Sequence, residues 1–126
     1  MIEIRFDEGL GIIRSTAVGY STGDHLDDYI TRYAQCRTKC MARHGRNLHL
    51  VDAREAALQS RDDAERLRGA NESQLQPNDR TAILTTSTLA KLQAARIGPA
   101  SQFAFFDKEE DAVGWLLYGE GVAKAG

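Results

Sequence analysis

The chain has 126 residues, of which 42% are hydrophobic and 27% charged, with only two prolines. A chain of this length buries roughly two thirds of the surface its unfolded form exposes, which is enough for one cored domain and too little for two; its composition excludes long disorder. The formal net charge is −2, from 16 basic and 18 acidic residues, without the basic excess or stripe that a nucleic-acid footprint requires.

Ile2, Ile4 and Phe6 alternate with Glu3 and Arg5, the period of a strand with one buried face. Asp7, Glu8 and Gly9 supply turn residues, and an extended run resumes at Leu10, so residues 2–19 read as a β-hairpin that ends at Gly19. From residue 22 to residue 44, Leu26, Tyr29, Ile30, Tyr33, Cys36, Cys40 and Met41 recur three or four apart. They form the apolar stripe of a long helix that Ser21, Thr22 or Asp24 can cap and Gly45 can end.

Leu48, His49, Leu50 and Val51 predict a short third strand, followed by a loop over residues 52–59. Ser60 with Asp63 three residues later opens a weakly apolar helix that reaches Gln74, and Pro77, Asn78 and Asp79 break the chain after it. Two strand–helix units follow. Residues 80–86 run into a helix capped by Ser87, and residues 102–106 run into a helix for which Asp107 and Glu110 form the capping pair, with Ala112, Val113, Trp115 and Leu116 as its buried stripe. These strands lack clean period-two alternation, the pattern of parallel strands covered by crossover helices. The expected fold is α/β: a mixed five-stranded sheet with an antiparallel first strand, the rest parallel, and about four helices gathered on one face. Residues 1–119 form the single domain, and residues 120–126 a flexible tail.

The longest apolar stretches are only a few residues, far short of the roughly 20 that span a bilayer, so no integral membrane segment is expected. Met1 leads directly into Ile2, with no charged leader and apolar run of a secretory signal, which makes the cytoplasm the default location. Cys36 and Cys40, four apart on one helix, suit free thiols in a reducing compartment better than a disulfide.

Residues 80–86, the helical stretch after them, and Phe105, Phe106, Asp107, Lys108, Glu109, Glu110, Asp111, Ala112, Val113, Gly114, Trp115 and Leu116 resemble the closing segment of the SpoIIAA-like superfamily. That superfamily includes the STAS domains of anti-sigma factor antagonists and the CRAL-TRIO lipid carriers. The pattern of aromatic, Asp, acidic pair, Ala, two residues, Trp and Leu resembles its uncharacterised bacterial proteins. The element order over nearly the whole chain agrees. STAS antagonists carry an Asp-Ser-Ser-Gly type loop after the strand equivalent to residues 48–51, where a partner kinase phosphorylates a serine. Here Asp52 is retained and Ala53 follows it, so the phospho-switch is not expected by that route; Ser60 and Ser87 are the remaining phospho-acceptor candidates.

Cys36, Cys40 and His44 recur at i, i+4 and i+8, a spacing that could place two thiolates and an imidazole around zinc. No fourth ligand accompanies them, and the same face is the core face, so core packing is the stronger reading and no metal or cofactor is expected. His25 and His49 stand apart from any nucleophile and orienting acid in recognisable spacing, and no carboxylate pair is placed for acid–base work, so no enzyme is expected. Ligands on parallel sheets gather outside the carboxyl ends of the strands. That rule makes Asp52, Arg54, Thr86, Ser87, Asp107 and Lys108 the rim of a ligand or partner site. The resemblance implies a non-enzymatic regulatory or protein-interaction module docking a protein partner, with a carrier or sensor of a small apolar ligand as the alternative. An uncovered sheet face and a free first strand would also suit a homodimer.

Overall fold

The computed structural model describes residues 2–19, 23–56, 76, 78–86 and 102–119. The described elements are β1 (Ile2–Asp7), β2 (Ile12–Gly19), α1 (Gly23–His44), β3 (Leu48–Ala56), β4 (Arg80–Leu84), β5 (Phe103–Phe106) and α2 (Glu109–Tyr118). The five strands form one sheet in the order β1-β2-β3-β4-β5. β1 pairs antiparallel with β2 and every later pair is parallel, as the alternation and the strand–helix rhythm predicted. The predicted helices that begin at Ser60 and Ser87, and the tail at 120–126, lie outside the described residues.

The hairpin turn is longer than predicted. Leu10 and Gly11 belong to the turn rather than to β2, because Asp7 closes it twice. Its Oδ1 accepts from Leu10 N at 3.1 Å and its carbonyl from Gly11 N at 2.7 Å. Gly11 has φ +73°, and a Cβ there would meet His44 Nε2 and the Arg43 side chain at the end of α1. Gly11→Ala should therefore cost about 1–2 kcal/mol, from left-handed backbone strain plus crowding against α1, read as a lower urea midpoint with an unchanged slope.

α1 begins near its predicted start and ends as expected: Gly45 has φ +71° and its N–H bonds Met41 O at 2.8 Å. α2 starts later than the predicted Asp107 cap. The N-cap position is Lys108, extended and without a side-chain cap bond, while Glu109, Glu110 and Asp111 fill the first turn. Three carboxylates against the positive end of the helix dipole favour this start without a capping side chain.

Ladder partners share a face of the sheet, and this places the helices. His49 stands opposite Ile13 and Thr81, and Leu50 opposite Arg14 and Ala82. One face carries Ile13, Ser15 and His49, where Tyr33 of α1 stacks on His49 with ring centroids 5.0 Å apart. The other carries Leu50, Ala82, Leu84 and Phe106, where Trp115 of α2 packs on Phe106 at 5.8 Å. The expectation that the helices gather on one face is thus overturned for these two, which lie on opposite faces. The handedness rule binds a crossover between parallel strands, as α1 is between β2 and β3, but α2 follows β5 and joins it to no further described strand. Leu48, His49 and Leu50 are all buried, as a strand covered on both faces requires.

The core runs through the sheet, from Tyr33 and Cys40 of α1 past Ile12, Ile13, Leu48, Leu50 and Leu84 to Ala112, Trp115 and Leu116 of α2. Cys40 fills a gap at the end of α1, accepting from Leu48 N at 3.3 Å and facing Gly11 O at 3.4 Å. Arg80 stacks over Trp115, its guanidinium carbon 5.7 Å from the ring centroid, and its Nη1 donates to Trp115 O. No helix among the described residues is long and apolar enough to cross a membrane.

Candidate functional site

β3 continues to Ala56 where a loop was predicted at residue 52. Its pairing with β4 stops at Asp52 opposite Leu84, but past a slip that sets three steps of β3, Asp52 to Glu55, against two of β2, Thr16 to Val18, the ladder continues to Glu55 and Ala56. Period-two apolarity ends at Val51, so only the partner strand reveals the extension. The slip suspends strict alternation beyond Asp52, and Arg54 meets Asp52 by direct side-chain contact. Arg54 Nη2 lies 2.7 Å from Asp52 Oδ2 and Arg54 Nε 3.0 Å from Oδ1, a two-point pair. The Arg54 hydrogen bonds hold the Asp52 carboxyl below its ordinary range, and the same contact raises the guanidinium.

The rest of the expected rim follows the next two strands. Thr86 is exposed two residues beyond β4, and Asp107 and Lys108 are exposed directly after β5. Leu84 and Phe106, the last residues of those strands, are ladder partners, so the structure brings Thr86, Asp107 and Lys108 to the same end of the sheet as Asp52 and Arg54. Ser60 and Ser87 lie outside the described residues. The end of the sheet is a shelf of mixed charge on which Arg54 and Glu55 are exposed.

An open groove of about 570 Å³ adjoins it. Glu3 and Arg5 of β1, Arg14 and Thr16 of β2, Asp52 of β3 and Glu109 of α2 line it on the α2 face, while His25, Asp28 and Arg32 of α1 line it from the opposite face. The groove thus wraps the free edge of β1. Most of its charges are already engaged: Arg14 joins Asp7 at 2.8 Å and Glu109 at 3.2 Å, and Arg32 joins Asp28 at 2.9 Å. The Arg14 contact also holds the Asp7 carboxyl below its usual range.

One pairing was hidden from sequence reasoning. Ser15 Oγ and His49 Nε2 are 2.6 Å apart. The geometry resembles the first two members of a nucleophilic triad, but Ser15 is 1% and His49 2% exposed, so the pair is buried although Ser15 borders the groove. A triad also needs an acid to orient the imidazole, and Tyr33 stacks on its face instead. Burial pushes the His49 imidazole down to about 3 and raises the Tyr29 and Tyr33 hydroxyls. This neutral cluster packs α1 on the sheet. Burial also raises the Cys36 and Cys40 thiols, which opposes the thiolate that zinc binding or nucleophilic attack needs. Among the described residues, no group of three His, Cys, Asp or Glu side chains is arranged to hold a metal ion.

No family model matches the chain, and no curated protein matches it either. Among solved structures, the chain is similar to an uncharacterized protein of the DUF3478 family with a SpoIIAA-like fold, from Shewanella loihica. The match has a TM-score of 0.66 and 22% identity, and covers 92% of each chain. A match of this TM-score over nearly the whole of both chains gives this chain a SpoIIAA-like fold.

Proposed function

We propose that this chain is a non-enzymatic regulatory module that docks a protein partner on the shelf formed by Asp52, Arg54, Thr86, Asp107 and Lys108. The observation that carries this reading is the extension of β3 past β4. It presents Arg54 and Glu55 to solvent on a backbone anchored by β2, next to the exposed ends of β4 and β5. Charged, exposed groups on a rigid strand suit recognition of a complementary surface. The Ser15–His49 pair is buried, which gives an enzymatic reading little support.

The apolar-ligand carrier draws less support, since the described groove is open and largely lined by charged side chains where an apolar ligand favours enclosure. Ala53 at the position next to Asp52 leaves regulation by phosphorylation to Thr86, Ser87 or Ser60.

The test is affinity capture from source cells with the wild type, Arg54→Glu with Lys108→Glu, and Glu8→Lys as a control away from the shelf. A partner so identified is then purified and titrated against all three chains. The shelf variant should bind about ten-fold or more weakly, and the control as the wild type. Equal affinity for all three would remove the shelf as the docking site, and native mass spectrometry showing a retained apolar molecule would favour the carrier.

A further inference from the structure

We infer that two copies of this chain pair through the free edge of β1, antiparallel about a two-fold axis at Ile4, into one continuous sheet. Among the described residues, β1 pairs with β2 on one side and with no strand on the other. Its side chains alternate between half-buried Ile2, Ile4 and Phe6 on the α1 face and exposed Glu3 and Arg5 on the other. Among the described residues, no ion pair engages Glu3 or Arg5, whereas Arg14, Arg32 and Arg54 beside them are all engaged.

The register follows from symmetry. A two-fold axis perpendicular to the sheet keeps each face continuous only if residues of like parity stand opposite one another, because a shift by one residue would set isoleucines against charges. With the axis at Glu3, glutamate faces glutamate; with the axis at Arg5, arginine faces arginine and Glu3 faces Asp7. Both place like charges in contact. With the axis at Ile4, Glu3 faces the second copy's Arg5 and Arg5 its Glu3, while Ile4 meets Ile4 and Ile2 meets Phe6. Each side chain from Ile2 to Phe6 then has a complementary neighbour, and Asp7 keeps its bond to Arg14.

Charges on an edge strand ordinarily guard it against pairing with other chains. Here the guard is self-complementary, so it rejects most strands and accepts a second copy. The groove around β1 leaves the approach open, with His25, Asp28 and Arg32 of α1 beside it. The pairing edge is β1 itself, two strands from β3, and its test reads Glu3 and Arg5 rather than any shelf residue, so this inference stands or fails independently of the proposed function.

Sedimentation equilibrium of the whole chain from low to high micromolar concentration tests it, with far-ultraviolet circular dichroism to confirm folding of each variant. The wild type should dimerise. Glu3→Arg alone and Arg5→Glu alone each set like charges opposite at two symmetric contacts and should weaken association on the order of ten-fold. The double variant, Glu3→Arg with Arg5→Glu, restores opposite charges and should return to within about two-fold of the wild type. A wild type that stays monomeric throughout, leaving the edge for another protein's strand, overturns the inference. So do single reversals that leave association unchanged, or a double variant that shows no recovery.

Discussion

Asp79→Ala should destabilise the fold by about 3–5 kcal/mol, a large share of the roughly 5–15 kcal/mol that holds a domain of this kind together. Asp79 is 1% exposed and satisfies three donors at once. Arg37 Nη1 of α1 reaches its Oδ2 at 2.9 Å, Gln76 N reaches the same oxygen at 2.9 Å, and Asn47 N reaches Oδ1 at 2.9 Å. The carboxylate thus ties α1 to the starts of β3 and β4, where Arg80 N also bonds Asn47 O at 2.9 Å and Leu48 stands opposite Arg80. Removing it strands a guanidinium that is 13% exposed together with two backbone N–H groups, and groups left unpaired in a dry site cost more than the bond itself returned.

Arg37→Ala should cost less, about 1–3 kcal/mol, because the two backbone donors still satisfy the carboxylate. Urea denaturation of both variants at neutral pH gives the comparison. A loss below about 1 kcal/mol for Asp79→Ala, or a larger loss for Arg37→Ala, would show that the network adds little beyond its neighbours' packing.

Asp79 also marks the boundary of what the amino-acid order discloses. Beside Pro77 and Asn78 it reads as a chain breaker, and it does end a turn, with Asp79 N bonded to Gln76 O. Its larger role depends on Arg37, 42 residues away, and no local pattern encodes that distance. The same holds for Ser15 and His49, each unremarkable in its own strand and joined only because β2 and β3 are neighbours in register. Features set by local periodicity were readable: the alternation at Ile2, Ile4 and Phe6, the stripe from Leu26 to Met41, and the glycine that ends α1. The strand order followed from the habit of successive elements to lie side by side. The face chosen by α2 did not, since a helix that joins no further described strand is placed by which apolar surface remains to be covered. Of the expected rim, Asp52, Arg54, Thr86, Asp107 and Lys108 do share one end of the sheet, because that expectation rested on the direction of parallel strands rather than on side-chain detail.

Stability should fall steeply as pH drops below 6.5, through His49. Burial holds its imidazole at about 3 in the folded chain, against about 6.5 when unfolded. Between those values the unfolded chain carries a proton that the folded chain lacks, so acid favours unfolding by up to about 1.4 kcal/mol per pH unit. The contribution is complete above pH 6.5, about 2 kcal/mol of it is gone by pH 5, and about 4–5 kcal/mol by pH 3. Asp7 and Asp52, held low by Arg14 and Arg54, act in the same direction. Their loss belongs to the lower window, from the ordinary carboxylate range downward, and leaves the span from pH 6.5 to pH 5 mainly to histidine.

His25 and His44 are separated from His49 by substitution. His49→Leu cannot titrate at this position. Its stability at pH 7.5 should be lower by about 1–2 kcal/mol for the lost Ser15 bond, yet between pH 7.5 and pH 5 it should lose about 2 kcal/mol less than the wild type. Urea midpoints at the two pH values supply the measurement. Parallel pH profiles for the two chains would mean that His49 accepts a proton in the folded state, which the sealed contact with Ser15 and the stacked Tyr33 ring would then have to open to allow.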